Sequence, residues 1–535
     1  MAVTQDESGS SEPQGGGSPA PRGLTQRAIG GMFWTFSGTG VQVGVQILAI
    51  MALGRLLTPE EFGLMGAATV IIGCSQIVSQ VGVGPAIIQR RELEPVHIRV
   101  AVTLSGVLGL LLGALVYFGA AEIAAFYRMP ELEPVLRAIS FLFPMDGLNT
   151  VAKAILTREL RFRLYIALDV LAYVLGYALV GVVLAWLGYG VWALVWANLM
   201  QLGVRLVAMY IATRHSLRPS VNWRAARDLL RFGFGHSMAQ IGTLLSQQGD
   251  NLVVGRWLGA EALGVYGRAY NLMVMPAQAF GRIINRVLFP VMSQVQDAPA
   301  RLANGYERAL AIVAFISLPL SAFLWVVAPE FIGLVLGPKW GGVVLPFRLF
   351  SISLLFRMST KISDVCTKAA GEVYLRAILQ YVYAALVVIG AIIGQRWGVG
   401  GVAVAVSIAM AITWQNMAWL ARRVTGLSWP RFFVAHLPAA ALAVVMAATA
   451  GVVAHWARAA HLGGIFVLAT SGLVATAVVI GVSRLRPSVF LGPHGSWAVA
   501  HGVNLVRRGP GRRRGARRAP GPAAELVSAG EANPE

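Results

Sequence analysis

Residues 54–68, GRLLTPEEFGLMGAA, return without gaps at 255–269 as GRWLGAEALGVYGRA. Gly54, Arg55, Leu57, Glu60, Gly63, Gly66 and Ala68 match Gly255, Arg256, Leu258, Glu261, Gly264, Gly267 and Ala269, at a constant offset of 201. A fainter echo links LGYGVWALV at 187–195 with WGVGGVAVA at 397–405. The stretch around each copy is apolar, so each marks a turn between two spans of an internally repeated chain. Spans one to six then correspond to spans seven to twelve. Six is even, so the two bundles keep one orientation and are related by an axis along the membrane normal.

Composition demands the membrane. Apolar residues make up 56% of 535 positions and charged residues 13%, about half the share usual in soluble domains. That is too little charge to coat the several domains into which a soluble chain of this length would split. Runs of about 20 apolar residues recur from Ile29 to Val482, each long enough to cross ~30 Å as a helix. Lipid offers no hydrogen-bond partners, so such runs satisfy their backbone internally. The expected spans are 29–53, 62–88, 98–120, 132–155, 165–187, 190–213, 229–254, 263–292, 305–328, 341–366, 374–395, 398–421, 432–454 and 464–483. The fold class is therefore an all-α polytopic membrane protein with about fourteen transmembrane helices, in two pseudo-symmetric six-helix bundles plus two C-terminal helices. In domains, 1–27 is a polar cytoplasmic tail without signal-peptide order, and 28–215 and 216–425 are the bundles. Residues 426–486 hold the two added helices, and 487–535 form a basic tail.

Lys and Arg alternate between loops. Arg90, Arg91, Arg99, Arg158, Arg161, Arg214, Arg224, Arg301, Lys368, Arg376, Arg422 and Arg431 fall on one set, and little beyond Arg55, Arg128, Arg256, Lys339, Arg396 and Arg458 on the other. The positive-inside rule places the first set, and both termini, in the cytoplasm. The net charge of +20 owes much to the tail arginines between Arg507 and Arg518. That distribution suits an anionic leaflet rather than nucleic acid. Cys74 and Cys366 both lie in apolar runs and offer no disulfide framework or metal cluster.

Polar residues inside spans point to a seam. In span seven His236, Gln240, Thr243, Gln247, Asp250 and Asn251 share about 100° of helical arc. Span one offers Thr35, Thr39, Gln42 and Gln46 on its matching face. Such stripes are costly unless they face protein or water, and two at equivalent positions suggest a wet seam between the halves, with interhelical hydrogen bonding without a cavity as the alternative. Span eight carries Arg268, Arg282 and Arg286 within about 40° of one another. Span ten carries Arg357, Lys361, Asp364 and Lys368 on one face, toward its cytoplasmic end. Guanidinium groups facing inward suit an anionic ligand such as a diphosphate, whereas those near span ends can also snorkel. Asp146 and Asp250 are isolated carboxylates able to hold a coupling proton or cation, and Asp169 is more readily a structural partner.

Catalytic chemistry is not legible. No GxxxxGK[ST], HExxH or nucleophile-elbow motif occurs, and no large external loop is expected. No enzyme, cofactor or catalytic residue is assigned.

The stretch 28–90 resembles the start of Wzx-type oligosaccharide flippases of the multidrug/oligosaccharidyl-lipid/polysaccharide (MOP) exporter superfamily. The run from Ala52 to Gly63 and the GxGPAIIQR run from Gly82 to Arg90 carry the likeness to its colanic-acid and teichuronic-acid exporter branch. The resemblance implies a MATE/MOP-like fold and a cavity lined by spans one, two, seven and eight. It implies transport of an undecaprenyl-diphosphate-linked oligosaccharide across the cytoplasmic membrane for envelope or extracellular polysaccharide. It also implies contact with membrane lipids, a polysaccharide polymerase and glycosyltransferases, and no nucleic acid. Drug-exporting cousins often carry a carboxylate in span one, and residues 29–53 contain none. Two other readings stand beside it, a cation-coupled small-molecule exporter of the same fold and a non-transporting scaffold of an assembly complex.

Overall fold

The structure is a computed structural model that describes residues 44–80, 83–90 and 93–490. These residues are helical throughout, apart from turns. Among them seven helices are long and apolar enough to cross a membrane, and an eighth span results if Pro338–Ile352 and Leu354–Ala369, bent by 41°, cross as one.

The first repeat copy sits on a tight corner. The helix Gly44–Leu56 ends there, and Pro59–Gln80 begins. Thr58 and Glu61 form a reciprocal cap, with the Thr58 N–H donating to Glu61 Oε2 at 2.7 Å and the Glu61 N–H to Thr58 Oγ1 at 3.3 Å. Pro59 in the first turn loses no hydrogen bond, because first-turn N–H groups have no helical partner. The second copy achieves the same corner differently. Trp223–Gln294 is continuous except at Gly259, where φ is 88° and ψ −179°. Gly259 is the counterpart of Thr58, and only glycine adopts that conformation without strain.

The two corners dock on one another's helices. A β-carbon on Gly63 would overlap the Ala260 carbonyl, and one on Gly264 would overlap the Pro59 carbonyl. Since Gly63 pairs with Gly264 and Pro59 with Ala260 in the repeat, one contact is the copy of the other. The crossing continues outward. Arg55 Nη2 donates to the Leu334 carbonyl at 2.9 Å, and the buried Trp340 indole donates to the Gly54 carbonyl at 2.7 Å. On the other copy Gly255 packs against the Tyr127 ring, and the Arg256 guanidinium lies 5.4 Å from the Phe126 ring. Each corner thus rests on a short helix, Ala328–Val335 or Ala120–Tyr127. Those helices are followed by left-handed residues, Gly337 (φ 101°) and Arg128 (φ 57°). The fainter echo has its own equivalent, since Gly188 and Gly398 both take positive φ.

Two expected spans are broken. Residues 132–155 form Leu132–Ile139 and Leu142–Arg158, and 341–366 bends between Ile352 and Leu354. A serine marks each break. Ser140 Oγ donates to the Arg137 carbonyl at 2.6 Å and Ser353 Oγ to the Phe350 carbonyl at 2.7 Å. A hydroxyl that takes the carbonyl three residues back competes with the helical ladder.

Contacts sort the loops between two ends. Residues 54–61, 126–128, 190 and 255–260 meet 334–340 and one another at the first end. At the other end Arg158 Nη1 donates to the Ile87 carbonyl at 2.7 Å, and Arg161 Nη1 to the Ala212 carbonyl at 3.3 Å. Arg431 meets Glu307 at 2.5 Å at that same end. Leu437–Ala459 and Gly464–Leu485 attach beside Pro299–Val326. There Arg458 grips Glu330 with two bonds of 2.7 and 2.9 Å.

Candidate functional site

Immediately inside the crossing lies a cavity of about 130 Å³. Phe62, Met65 and Thr69 contribute from Pro59–Gln80, Tyr177, Leu194 and Asn198 from the following helices, and Gln248, Asn251, Arg268 and Asn271 from Trp223–Gln294. It therefore lies between elements carrying the two repeat copies. Arg268 lines it, with its guanidinium 4.3 Å from the Phe62 ring centroid, close enough for a cation–π attraction. Among the described residues no carboxylate pairs with it.

Carboxamides surround that charge. Asn198 Nδ2 donates to the Leu194 carbonyl at 2.8 Å, and Asn251 Nδ2 to Gln248 Oε1 at 2.9 Å. Asn251 Oδ1 is buried without a hydrogen-bond partner, a state that a water or a bound hydroxyl would relieve. Tyr177 reaches the cavity from a π-helical turn, Tyr173–Leu179, in which the Tyr173 and Tyr177 rings stack at 5.1 Å. Such turns insert a residue and re-aim side chains, often at functional sites. A guanidinium among amides and aromatic faces can hold anionic oxygens and sugar hydroxyls. Bond-making would need a nucleophile beside a base, or a metal. Among the described residues no cluster of His, Cys, Asp or Glu could hold a metal ion.

The sequence-derived residues fall into three sets. Arg268 and Asn251 meet in the cavity. Gln247 is exposed and Gln46 half-buried, and neither lines it. Gln42 lies outside the described residues, as do the side chains of Gln240, Arg282 and Arg286. Asn271, Gln248, Asn198 and Tyr177 were not singled out from sequence. Asn271 stands three residues from Arg268 on the same face and was legible. Gln248 was missed by one residue of phase. The π-turn that presents Tyr177 has no sequence signal.

The two isolated carboxylates differ in environment. Asp250 is 1% exposed and fully engaged. Tyr266 Oη donates to its Oδ2 at 2.6 Å, and the Asn251 N–H to its Oδ1 at 2.8 Å. Arg357 stands near it, with Nη1 donating to Tyr270 Oη at 3.2 Å and Nε and Nη2 buried without partners. Asp146 keeps Oδ2 buried and without a partner. It lies within electrostatic reach of Lys153 and Arg205, and Arg205 is itself paired with Asp169 at 2.7 Å.

Comparison with known proteins places this arrangement. Residues 52–345, more than half of the chain, match the family described as "Polysaccharide biosynthesis protein". The chain is 27% identical over 336 residues to the lipopolysaccharide biosynthesis protein WzxC of Escherichia coli (strain K12), covering 62% of this chain and 68% of that one. It is 27% identical over 309 residues to the succinoglycan biosynthesis transport protein ExoT of Rhizobium meliloti (strain 1021), covering 57% and 62%. With the teichuronic acid biosynthesis protein TuaB of Bacillus subtilis (strain 168) it shares 24% over 337 residues, covering 63% and 70%. In fold it is similar to the lipid II flippase MurJ in an inward closed conformation, at TM-score 0.70 and 13% identity, covering 85% of this chain and 99% of that one. It is also similar to an inward-facing multidrug resistance MATE family transporter of the MOP superfamily, at TM-score 0.57 and 19% identity, covering 72% and 95%. At these identities the structural likeness is one of fold alone. The chain belongs to the polysaccharide biosynthesis protein family, and its described residues include seven helices long and apolar enough to make it a multi-pass membrane protein.

Proposed function

We propose that this member of the polysaccharide biosynthesis protein family moves undecaprenyl-diphosphate-linked oligosaccharide repeat units from the cytoplasmic to the outer leaflet by alternating access. Fourteen spans form two six-helix bundles and a C-terminal pair, with both termini in the cytoplasm. The observation that carries this reading is Arg268, a guanidinium that pairs with no carboxylate among the described residues and stands among carboxamides at the seam between the repeat copies. Its planar fork suits paired phosphate oxygens and stays charged at any working pH. The carboxamides offer both donors and acceptors to sugar hydroxyls.

The crossed contacts of the two corners hold one end of the seam closed, so substrate reaches the cavity from the arginine-rich end, which the positive-inside rule makes cytoplasmic. At about 130 Å³ the cavity holds roughly four waters' worth of volume, too little for a lipid diphosphate with sugars. Loading therefore requires the bundles to part at the open end, and release requires the corners to separate. Asp146 is the proposed coupling site, and Asp250 orders its own bundle. Arg282 and Arg286 extend the path from Arg268 toward the cytoplasm, with Gln42, Gln46, Gln240 and Gln247 along the same seam.

The test is polysaccharide export in a deletion strain complemented by Arg268→Lys, Arg268→Ala and Arg268→Glu, with membrane abundance measured alongside. Lysine keeps the charge without the fork and should retain part of the activity. Alanine should lower export roughly tenfold or more, and glutamate should abolish it. Wild-type export by Arg268→Ala at normal abundance refutes the assignment.

A further inference from the structure

We infer that Lys361 is the cation that first captures the diphosphate at the open end of the seam, before it passes to Arg268; this rests on the transport reading above. Lys361 lies on Leu354–Ala369 and is exposed, and it makes no hydrogen bond or ion pair with any described residue. Its direction is fixed by a neighbour. A β-carbon at Gly281 would sit 3.7 to 4.0 Å from the Lys361 Cγ, Cδ and Cε. The side chain therefore runs along the helix that carries Arg268, over a residue with no side chain to obstruct an approaching group.

Asp364 attracts Lys361 through space but forms no hydrogen bond or ion pair with it. Asp364 sits one turn away, but Lys368 Nζ donates to its Oδ2 at 2.7 Å and Arg376 Nε to its Oδ1 at 3.0 Å. One turn in the other direction Arg357 is turned onto Tyr270, 4.8 Å from the ring centroid. Lys361 stands eight residues from the end of its helix at Ala369, about 12 Å along the axis, and an ionised group so placed calls for a partner.

Gly281 and Arg268 are thirteen residues apart on one helix, about 20 Å. Among the described residues the seam thus carries Lys361 near its mouth and Arg268 beneath the closed corners, neither of them in an ion pair. Their chemistries suit the order. An ammonium on a flexible stem is a mobile point charge that binds and releases readily, whereas a guanidinium fork fixes orientation.

The test measures lipid binding to the purified full-length protein in nanodiscs of zwitterionic phospholipid. The probes are undecaprenyl diphosphate and the uncharged undecaprenol. Lys361→Ala should weaken diphosphate binding roughly tenfold, the loss of one charge-assisted contact, and leave undecaprenol binding unchanged. Lys361→Arg should restore most of it, which separates loss of charge from loss of fold. Discs enriched in anionic phospholipid distinguish the carrier from bilayer headgroups. If the wild type and Lys361→Ala bind diphosphate equally in either disc, or the difference vanishes once anionic phospholipid is added, Lys361 is not the capture site. In that case Arg268→Ala still weakens binding and the transport reading survives. If the wild type itself prefers undecaprenol, both readings fall.

Discussion

Gly63 and Gly264 hold equivalent places on the two sides of one helix crossing, each lying against the carbonyl that opens the other's helix. Gly63 meets Ala260, Gly264 meets Pro59, and both pairs are the same pair in the repeat. A tandem duplication explains the sequence identity. The reciprocal contact explains why glycine stands at both positions, because a backbone carbonyl cannot swing aside to admit a methyl group.

Alanine at either glycine should therefore spread the crossing, and by similar amounts. Overpacking of this kind costs about 1–3 kcal/mol, so the purified protein should melt several degrees lower for Gly63→Ala and Gly264→Ala alike. The double variant should lose less than the sum, since the first methyl already opens the space for the second. Gly267→Ala is the control. Nothing lies within 4 Å of its β-carbon position, and alanine in a helix interior is favoured by about 0.5–1 kcal/mol. A loss at one glycine with none at its counterpart would break the equivalence.

The all-helical membrane class was legible because lipid enforces a single rule, that each crossing segment be apolar and helical. The crossing at Gly63 and Gly264 left its mark as matched glycines, since the geometry tolerates no substitute. The cavity was legible only in part. Arg268 and Asn251 stand out as polar atoms in apolar surroundings, but helical phase places their neighbours poorly over several turns. One residue of error turned attention to Gln247 rather than Gln248. The π-turn at Tyr173–Leu179 shifts phase locally without any residue that demands it. The free oxygen on Asp146 depends on where Arg205 is spent, which is a tertiary fact.

The attachment of the last two helices should depend on pH. Burial raises the pKa of Glu330, but the hydrogen bonds from Arg458 and its charge outweigh that and hold the carboxyl below its usual 4.5. A carboxyl with a lower pKa in the folded state stabilises the fold fully above its ordinary value, and the contribution is lost as pH falls through the folded value. Arg458 is 42% exposed, so the bidentate pair is worth about 1 kcal/mol at most. Thermal melts should show wild type losing its margin over Glu330→Gln as pH drops below about 4.5, with the two curves converging in acid. Parallel curves at every pH would mean the pair contributes nothing.

Asp146 offers the sharpest test of coupling, because its structural and functional roles predict opposite results. Its Oδ2 has no hydrogen-bond partner, whereas Asp169 has claimed the nearby Arg205 at 2.7 Å. Lys153 and Arg205 act on Asp146 through space, and its free oxygen can take a proton or a cation. Asp146→Asn removes the carboxylate charge and breaks no hydrogen bond at Oδ2, so the variant should reach the membrane at normal abundance and melt within about 0.5 kcal/mol of wild type. Arg205→Met, by contrast, removes the ion pair with Asp169 and the through-space attraction to Asp146 together, and should cost about 3–5 kcal/mol. If Asp146 carries the coupling ion, Asp146→Asn should lower gradient-driven export at least tenfold while leaving substrate binding intact. The measurement is uptake of a fluorescent lipid-linked sugar into inverted vesicles, with the proton and sodium gradients collapsed in turn. Export at the wild-type rate, still abolished by collapsing a gradient, would remove Asp146 from the coupling path and leave it a packing residue beside Arg205.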